Sequence, residues 1–251
     1  MPSLMASFQA HVSFPQDTAT NVLILVRWIH FLAGVTWIGL LYFFNLVNIP
    51  FQRELDSTTR AKVVPLLMPR ALWWFRWSSV VTVLAGLSYW MNIVSSDAHN
   101  AHASSGRAIW SFFLLWTVAF AVEMGMLMAP PDALRKPAVF GAVSGIAVAV
   151  AAYLFLSLNS DGWESNRLLA IGIGGGLGWF MMLNVWGVIW RMQKKMIRWV
   201  AENPATAMPS DLTRMARITF LASRLNFVLS IPMLLFMGIA SHYPVYGSIA
   251  R

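Results

Sequence analysis

Six apolar runs, each long enough to cross a bilayer and separated by short polar or proline-containing segments, constrain this chain more than any other feature. They lie near residues 21–49, 72–94, 108–129, 138–158, 168–190 and 218–240, and a membrane helix needs about 20 residues. Only 11% of residues are charged while 58% are hydrophobic, against roughly 25% charged in soluble domains. This combination predicts an all-α integral membrane bundle of about six transmembrane helices and excludes a disordered or fibrous chain. Residues 1–20 then form an N-terminal outer-side segment, and residues 21–251 a single polytopic membrane domain. The opening segment lacks the basic start and apolar core of a signal peptide, so the first helix is expected to direct its own insertion. Pro15 and the Asp17-Thr18 pair punctuate its start.

The net charge of +8 would suggest nucleic acid in a soluble protein, but here its distribution follows the connections. Arg53, Arg60, Lys62 and Arg70 follow the first run, Arg135 and Lys136 the third, and Arg191, Lys194, Lys195, Arg198, Arg214 and Arg217 the fifth. The opposite side has only Arg107, Arg167 and Arg251. By the positive-inside rule the basic connections are cytoplasmic and both termini lie outside, as in a bacterial-type inner membrane protein. Topology thus accounts for the basic excess, and no nucleic-acid partner is expected. The pieces Pro50–Ala71 and Arg191–Arg217 are the only sizeable cytoplasmic connections expected, and both are too short for a catalytic domain.

Polar residues inside the runs carry the chemistry. Arg27, His30, Gly34, Trp37, Leu41, Asn45 and Asn48 recur at steps of three or four and share one helix face. A histidine in a span is costly unless it bonds or ligates something. His30 is therefore either an axial ligand to haem b, a ligand to copper, or a hydrogen-bonding residue to a neighbouring helix. His242, just beyond the sixth run, lies on the same outer side. Asp97, His99 and His102 have donor chemistry suited to copper or zinc, or form a solvated polar loop; His11 is a further outer histidine. Glu123 is the lone acidic residue within a run. A structural ion-pair layer of Glu123 with Arg76 or Arg224 is the simplest expectation, with a proton relay or a propionate site as the sharper one.

The glycine string Gly172-x-Gly174-Gly175-Gly176-x-Gly178 sits in an apolar run without a preceding strand, which rules out a nucleotide loop. Small residues at four-residue spacing let helices approach closely, or make room for a porphyrin. Of the 13 tryptophans, Trp28, Trp90, Trp110 and Trp163 are expected at the outer interface, and Trp73, Trp74, Trp77, Trp190 and Trp199 at the inner one. Trp37, Trp116, Trp179 and Trp186 lie deeper, where they fill space between helices or meet a flat cofactor.

The segment from Arg27 to Gly39 (RWIHFLAGVTWIG) resembles the start of the membrane domain of the PuuD-type urate oxidases (urate hydroxylases), a family that joins a multi-span domain to a C-terminal cytochrome c. Three further blocks are similar to it: Pro69–Trp77 (PRALWWFRW), Asn184-Val185 leading to Gln193-Lys194-Lys195, and Pro232 followed by Ser241-His242-Tyr243-Pro244 and Gly247. Of the family's histidines, His30 and His242 carry over, whereas Trp73 and the Arg224-Leu225-Asn226 string stand where others would be. With zero cysteines this sequence has no thioether attachment for a c-type haem. The resemblance therefore implies an accessory or structural subunit of a membrane redox complex, with other membrane subunits or a cytochrome c as partner. Its alternative is an independent oxidoreductase using haem b and an external cytochrome c. A transporter would need broken helices and a polar path that the runs do not supply.

Overall fold

The structure is a computed structural model that describes residues 14–128, 136–203 and 206–246. His11, Arg135, Gly247 and Arg251, named above, lie outside the described residues. Six long helices follow one another: α1 (Thr18–Glu54), α2 (Ser57–Asn100), α3 (Gly106–Met128), α4 (Pro137–Leu158), α5 (Asn166–Glu202) and α6 (Ser210–Ile239). All six are long and apolar enough to cross a membrane, and there are no strands among the described residues. The chain is a multi-pass membrane protein.

Local chemistry sets the helix starts. Asp17 caps α1 by accepting from the Thr20 amide at 2.7 Å, Asp56 caps α2 by accepting from Thr58 and Thr59 at 2.9 and 3.0 Å, and Ser165 caps α5 by accepting from Leu168 at 3.1 Å. Each cap satisfies amides that the first helical turn leaves without a carbonyl. These donors hold the Asp17 and Asp56 carboxyls below the ordinary aspartate range.

α2 and α5 extend furthest beyond their apolar runs. The piece expected as a loop from Pro50 to Ala71 is mostly helical, because α2 already begins at Ser57 and continues through Pro65 and Pro69. Val64, Met68, Leu72 and Phe75 are buried at helical spacing through this stretch, and that burial outweighs the backbone bonds the two prolines cannot make. Likewise α5 runs past Arg191 to Glu202.

Within α1 and α5 the backbone widens into π-helical turns at Phe43–Asn48 and Val185–Ile189. Such turns insert a residue and rotate the face that follows. Here they bracket buried asparagines: Asn45 and Asn48 lie in the first, and Asn184 immediately precedes the second. Asn45 donates to the Leu41 carbonyl at 2.9 Å and to Ser223 of α6 at 3.0 Å.

α5 is the central helix. Its most apolar window is 72% buried, against 6% for α1, and it packs on α2, α3, α4 and α6. α1 lies at the edge against α2, leaving Val22, Leu25, Phe31, Leu32 and Val35 exposed, as on α6 Ile231 and Leu235 are. Such a surface fits a lipid bilayer. The core is aromatic. Trp37, Trp90 and Trp116 are almost wholly buried. For Trp90 this corrects the expected interface position: its indole donates to the Leu168 carbonyl at 3.0 Å and its ring packs on Phe112 and Phe155. Trp28, Trp73, Trp74, Trp77 and Trp110 are exposed, as interface anchors require.

Candidate functional site

The polar face of α1 opens on a cavity of about 690 Å³ enclosed by α1, α2, α5 and α6. That volume lies within the range of small-molecule and cofactor sites, roughly 300–1,000 Å³. His30 and His242, 212 positions apart in sequence, both line it, together with Arg27 and Trp37. Its walls are mostly apolar and unusually short of side chains, because Gly34, Gly86, Gly174, Gly175, Gly178 and Gly238 border it.

His30 projects from α1 toward α2. Its Nδ1 lies 2.7 Å from the Thr82 carbonyl oxygen, so Nδ1–H is the donor and Nε2 is the nitrogen with a free lone pair. The ring rests on the backbone at Gly86, where an added Cβ would come within 2.8 Å of Cε1. Thr82 and Gly86 are one turn apart on α2 and act as a pair: one orients the imidazole and the other leaves it room. Three residues before His30, the Arg27 guanidinium lies 5.8 Å from the Phe31 ring centre and 5.9 Å from that of Tyr89, which places a cation at the rim of the cavity.

His242 stands in the turn after α6, its amide donating to the Ile239 carbonyl at 3.0 Å. Asn166, the first residue of α5, clamps this turn. Its Nδ2 donates to the carbonyls of Ala240 and Tyr243 at 3.1 and 2.9 Å, and its Oδ1 accepts from the amides of Val245 and Tyr246 at 2.6 and 2.7 Å. Four bonds from one amide hold the segment on either side of His242. Sequence reasoning passed over Asn166, Thr82 and Gly86. Only the polar residue directly after the Ser165 cap, at the mouth of a span, offered a signal for the first.

The glycine string of α5 divides between two tasks. Cβ atoms at Gly172 and Gly176 would strike the rings of Phe155 and Trp116, so these glycines receive aromatic rings from α4 and α3. A Cβ added at Gly174, which borders the cavity, would meet Phe236, Met237 and the Met233 carbonyl of α6 at 3.1–3.3 Å, while one added at Gly178 would meet nothing within 4 Å. The helix packs closely on one face and borders the cavity on another.

The other candidate residues fall elsewhere. His99 and His102 are exposed at the end of α2, with His102 at a positive φ of 51°. Asp97 instead accepts a hydrogen bond from Ser165. Among the described residues no group of three or more histidine, aspartate or glutamate side chains is arranged to hold a metal. The expected pairing of Glu123 with Arg76 or Arg224 is corrected. Glu123 is 1% exposed and accepts from Asn184 Nδ2 at 3.0 Å. Arg76 lies among tryptophans, 4.1 Å from the Trp190 ring centre, and Arg224 lies over the Phe220 ring. The ion pairs seen among the described residues are those of Arg107 with Asp161 and Glu164. Aromatic faces attract the two arginines, and it is the neutral amide of Asn184 that approaches the carboxylate.

The site combines an oriented imidazole, a second histidine, a rim arginine and a glycine-lined apolar chamber. Trp37 adds a donor: its buried Nε1 has no hydrogen-bond partner. These groups fit a large, flat, mainly apolar ligand carrying acidic substituents and an atom that imidazole can ligate, which is the chemistry of a haem. No curated protein and no solved structure matches the chain. The sequence profile of the urate oxidase N-terminal family, however, matches residues 55–250, which takes in α2 through His242 and leaves His30 upstream of the match. The chain belongs to the urate oxidase N-terminal family.

Proposed function

We propose that this chain is a membrane redox subunit that holds a haem b in the His30–His242 cavity and works within a larger complex. The observation that carries the reading is the convergence of these two histidines, from opposite ends of the sequence, on one glycine-walled chamber. A bound haem supplies one-electron redox chemistry. The chain's own residues bind and orient. The Thr82 carbonyl fixes the His30 tautomer so that Nε2 is presented as ligand, an arrangement common around metal-bound histidines. Asn166 holds the turn bearing His242, and Arg27 offers a cation to a propionate at the rim. The apolar walls exclude water from the chamber.

In this reading the basic connections face the cytoplasm and the cavity opens toward the outer side of the inner membrane, where a cytochrome c or a partner subunit can exchange electrons with it. Urate oxidase kinship supports a redox role.

The test is spectroscopic. Protein purified in mild detergent should show a Soret band and a pyridine haemochrome of haem b, and both should be lost or strongly reduced in His30→Ala and His242→Ala. A protein without haem, or one whose Soret band is unchanged in both variants, overturns the assignment. Co-purifying membrane subunits are the expected companions. A monodisperse single chain that oxidises urate with cytochrome c as acceptor would replace the subunit role with that of an independent enzyme.

A further inference from the structure

Toward the basic end of the bundle, a second polar site lies outside the cavity. Glu123 of α3, Asn184 of α5 and Asn226 of α6 meet in the core at 1%, 0% and 0% exposure. The two hydrogens of Asn184 Nδ2 go to Glu123 Oε1 at 3.0 Å and to Asn226 Oδ1 at 3.1 Å, and Asn226 Nδ2 donates to the Met181 carbonyl at 3.0 Å. Two acceptors are left without partners: Glu123 Oε2 and Asn184 Oδ1. Both belong to the pair of side chains already joined through their other atoms.

We propose that Glu123 is a proton-binding site, neutral at rest and joined to Asn184 as a cyclic acid–amide pair. A proton delivered from hydronium of the aqueous phase, which leaves water behind, forms an O–H bond at Oε2, and that hydroxyl donates to Asn184 Oδ1, so one proton satisfies both orphaned acceptors. Release reverses the step and leaves a carboxylate held by one amide donor. An ionised carboxylate here would be buried without a countercharge, a costly state in a membrane interior.

Among the described residues no cation lies within ion-pair distance of Glu123. On α2, Arg76 is held among Trp77, Trp186 and Trp190. On α6, Arg224 lies over Phe220, and Arg214 donates to the Met128 carbonyl at the end of α3. The titratable side chain of α4 is the exposed Tyr153, with Lys136 at its N-cap, and Arg191 of α5 lies seven residues beyond Asn184. A metal cation would ask for more oxygens than the two left over, since even magnesium takes about six.

Position gives the site a use. Gly178 borders the cavity, and Asn184 is six residues further along α5, about 9 Å at roughly 1.5 Å per residue. The π-helical turn at Val185–Ile189 follows at once. A proton store this near a redox chamber can balance charge when electrons enter or leave. The proton site rests on its own residues, so it stands or falls separately from haem binding.

Infrared spectroscopy of the whole protein in lipid reads it directly. At neutral pH the spectrum should contain a carboxylic-acid carbonyl band that shifts in heavy water and with isotope-labelled glutamate. The band should be missing from Glu123→Gln and displaced in Asn184→Leu. The isotope shift assigns the band to a glutamate in the wild-type chain, and a Glu164→Gln variant that keeps the band separates Glu123 from the buried Glu164. Absence of a protonated-glutamate band at neutral pH overturns the proposal, as does a band that persists in a folded Glu123→Gln, or one that sodium or magnesium abolishes at constant pH.

Discussion

The two faces of α5 show what glycine can do in a membrane helix. On one face Gly172 and Gly176 are filled to contact by Phe155 and Trp116; on the other Gly178 borders open space beside His30 and His242. The residue type is the same and the spacing is the same. What differs is the neighbour. Large rings from α3 and α4 reach the first face, whereas on the second α6 comes close at Gly174 and open space remains beside Gly178. Missing side chains therefore bring helices together on one side and hold a volume open on the other.

The sharpest way to break this contrast is to add one methyl group to each face. Gly176→Ala should destabilise the fold by about 3 kcal/mol, because the buried Trp116 ring must move. Gly178→Ala should be neutral or stabilising by up to about 1 kcal/mol through helix propensity. Thermal unfolding in detergent measures both, and equal losses would dissolve the distinction.

Within the cavity, Gly86→Ala should cost about 1–2 kcal/mol and displace His30 from Thr82, since the new Cβ would meet the imidazole at 2.8 Å. A haem signal that follows His30 should weaken with it. Asn166→Ala should cost about 1 kcal/mol, the net worth of a partly exposed set of hydrogen bonds. Its clearer readout is faster amide exchange at Val245 and Tyr246, both of which donate to Asn166. Unchanged exchange there would remove Asn166 as the residue that positions the His242 turn.

The smallest expected effect lies at the cap of α2. Because the folded state holds Asp56 below its ordinary value of 3.8, its contribution is fully present above that pH and is lost as pH falls through the lower folded value. Protection of the Thr58 and Thr59 amides, relative to their intrinsic exchange at each pH, should therefore fall below about pH 4 in the wild type. In Asp56→Ala it should be low at every pH.

Much of the architecture was legible in the sequence. The six runs became six helices, and the stripe from His30 through Trp37, Leu41, Asn45 and Asn48 did turn inward. Helix ends were less legible, since Pro65 and Pro69 signal a break that the burial of Val64, Met68 and Leu72 overrides. The partner of Glu123 was misjudged for a similar reason. Charge and depth suggested an arginine, but tryptophans close to Arg76 engage the guanidinium first, and their position depends on the π-helical turn and packing of α5.

By itself, the sequence determined the number of apolar runs, the uneven distribution of cations among their connections and the kinship with the urate oxidase N-terminal family. These are properties of single segments, set by transfer from water to lipid or by residue order. Tertiary structure alone decided that His30 and His242 share a chamber, which glycines face it, and that amides rather than cations meet Glu123. Those outcomes depend on how each helix is rotated against neighbours distant in sequence, and close packing of large rings against glycines sets that rotation.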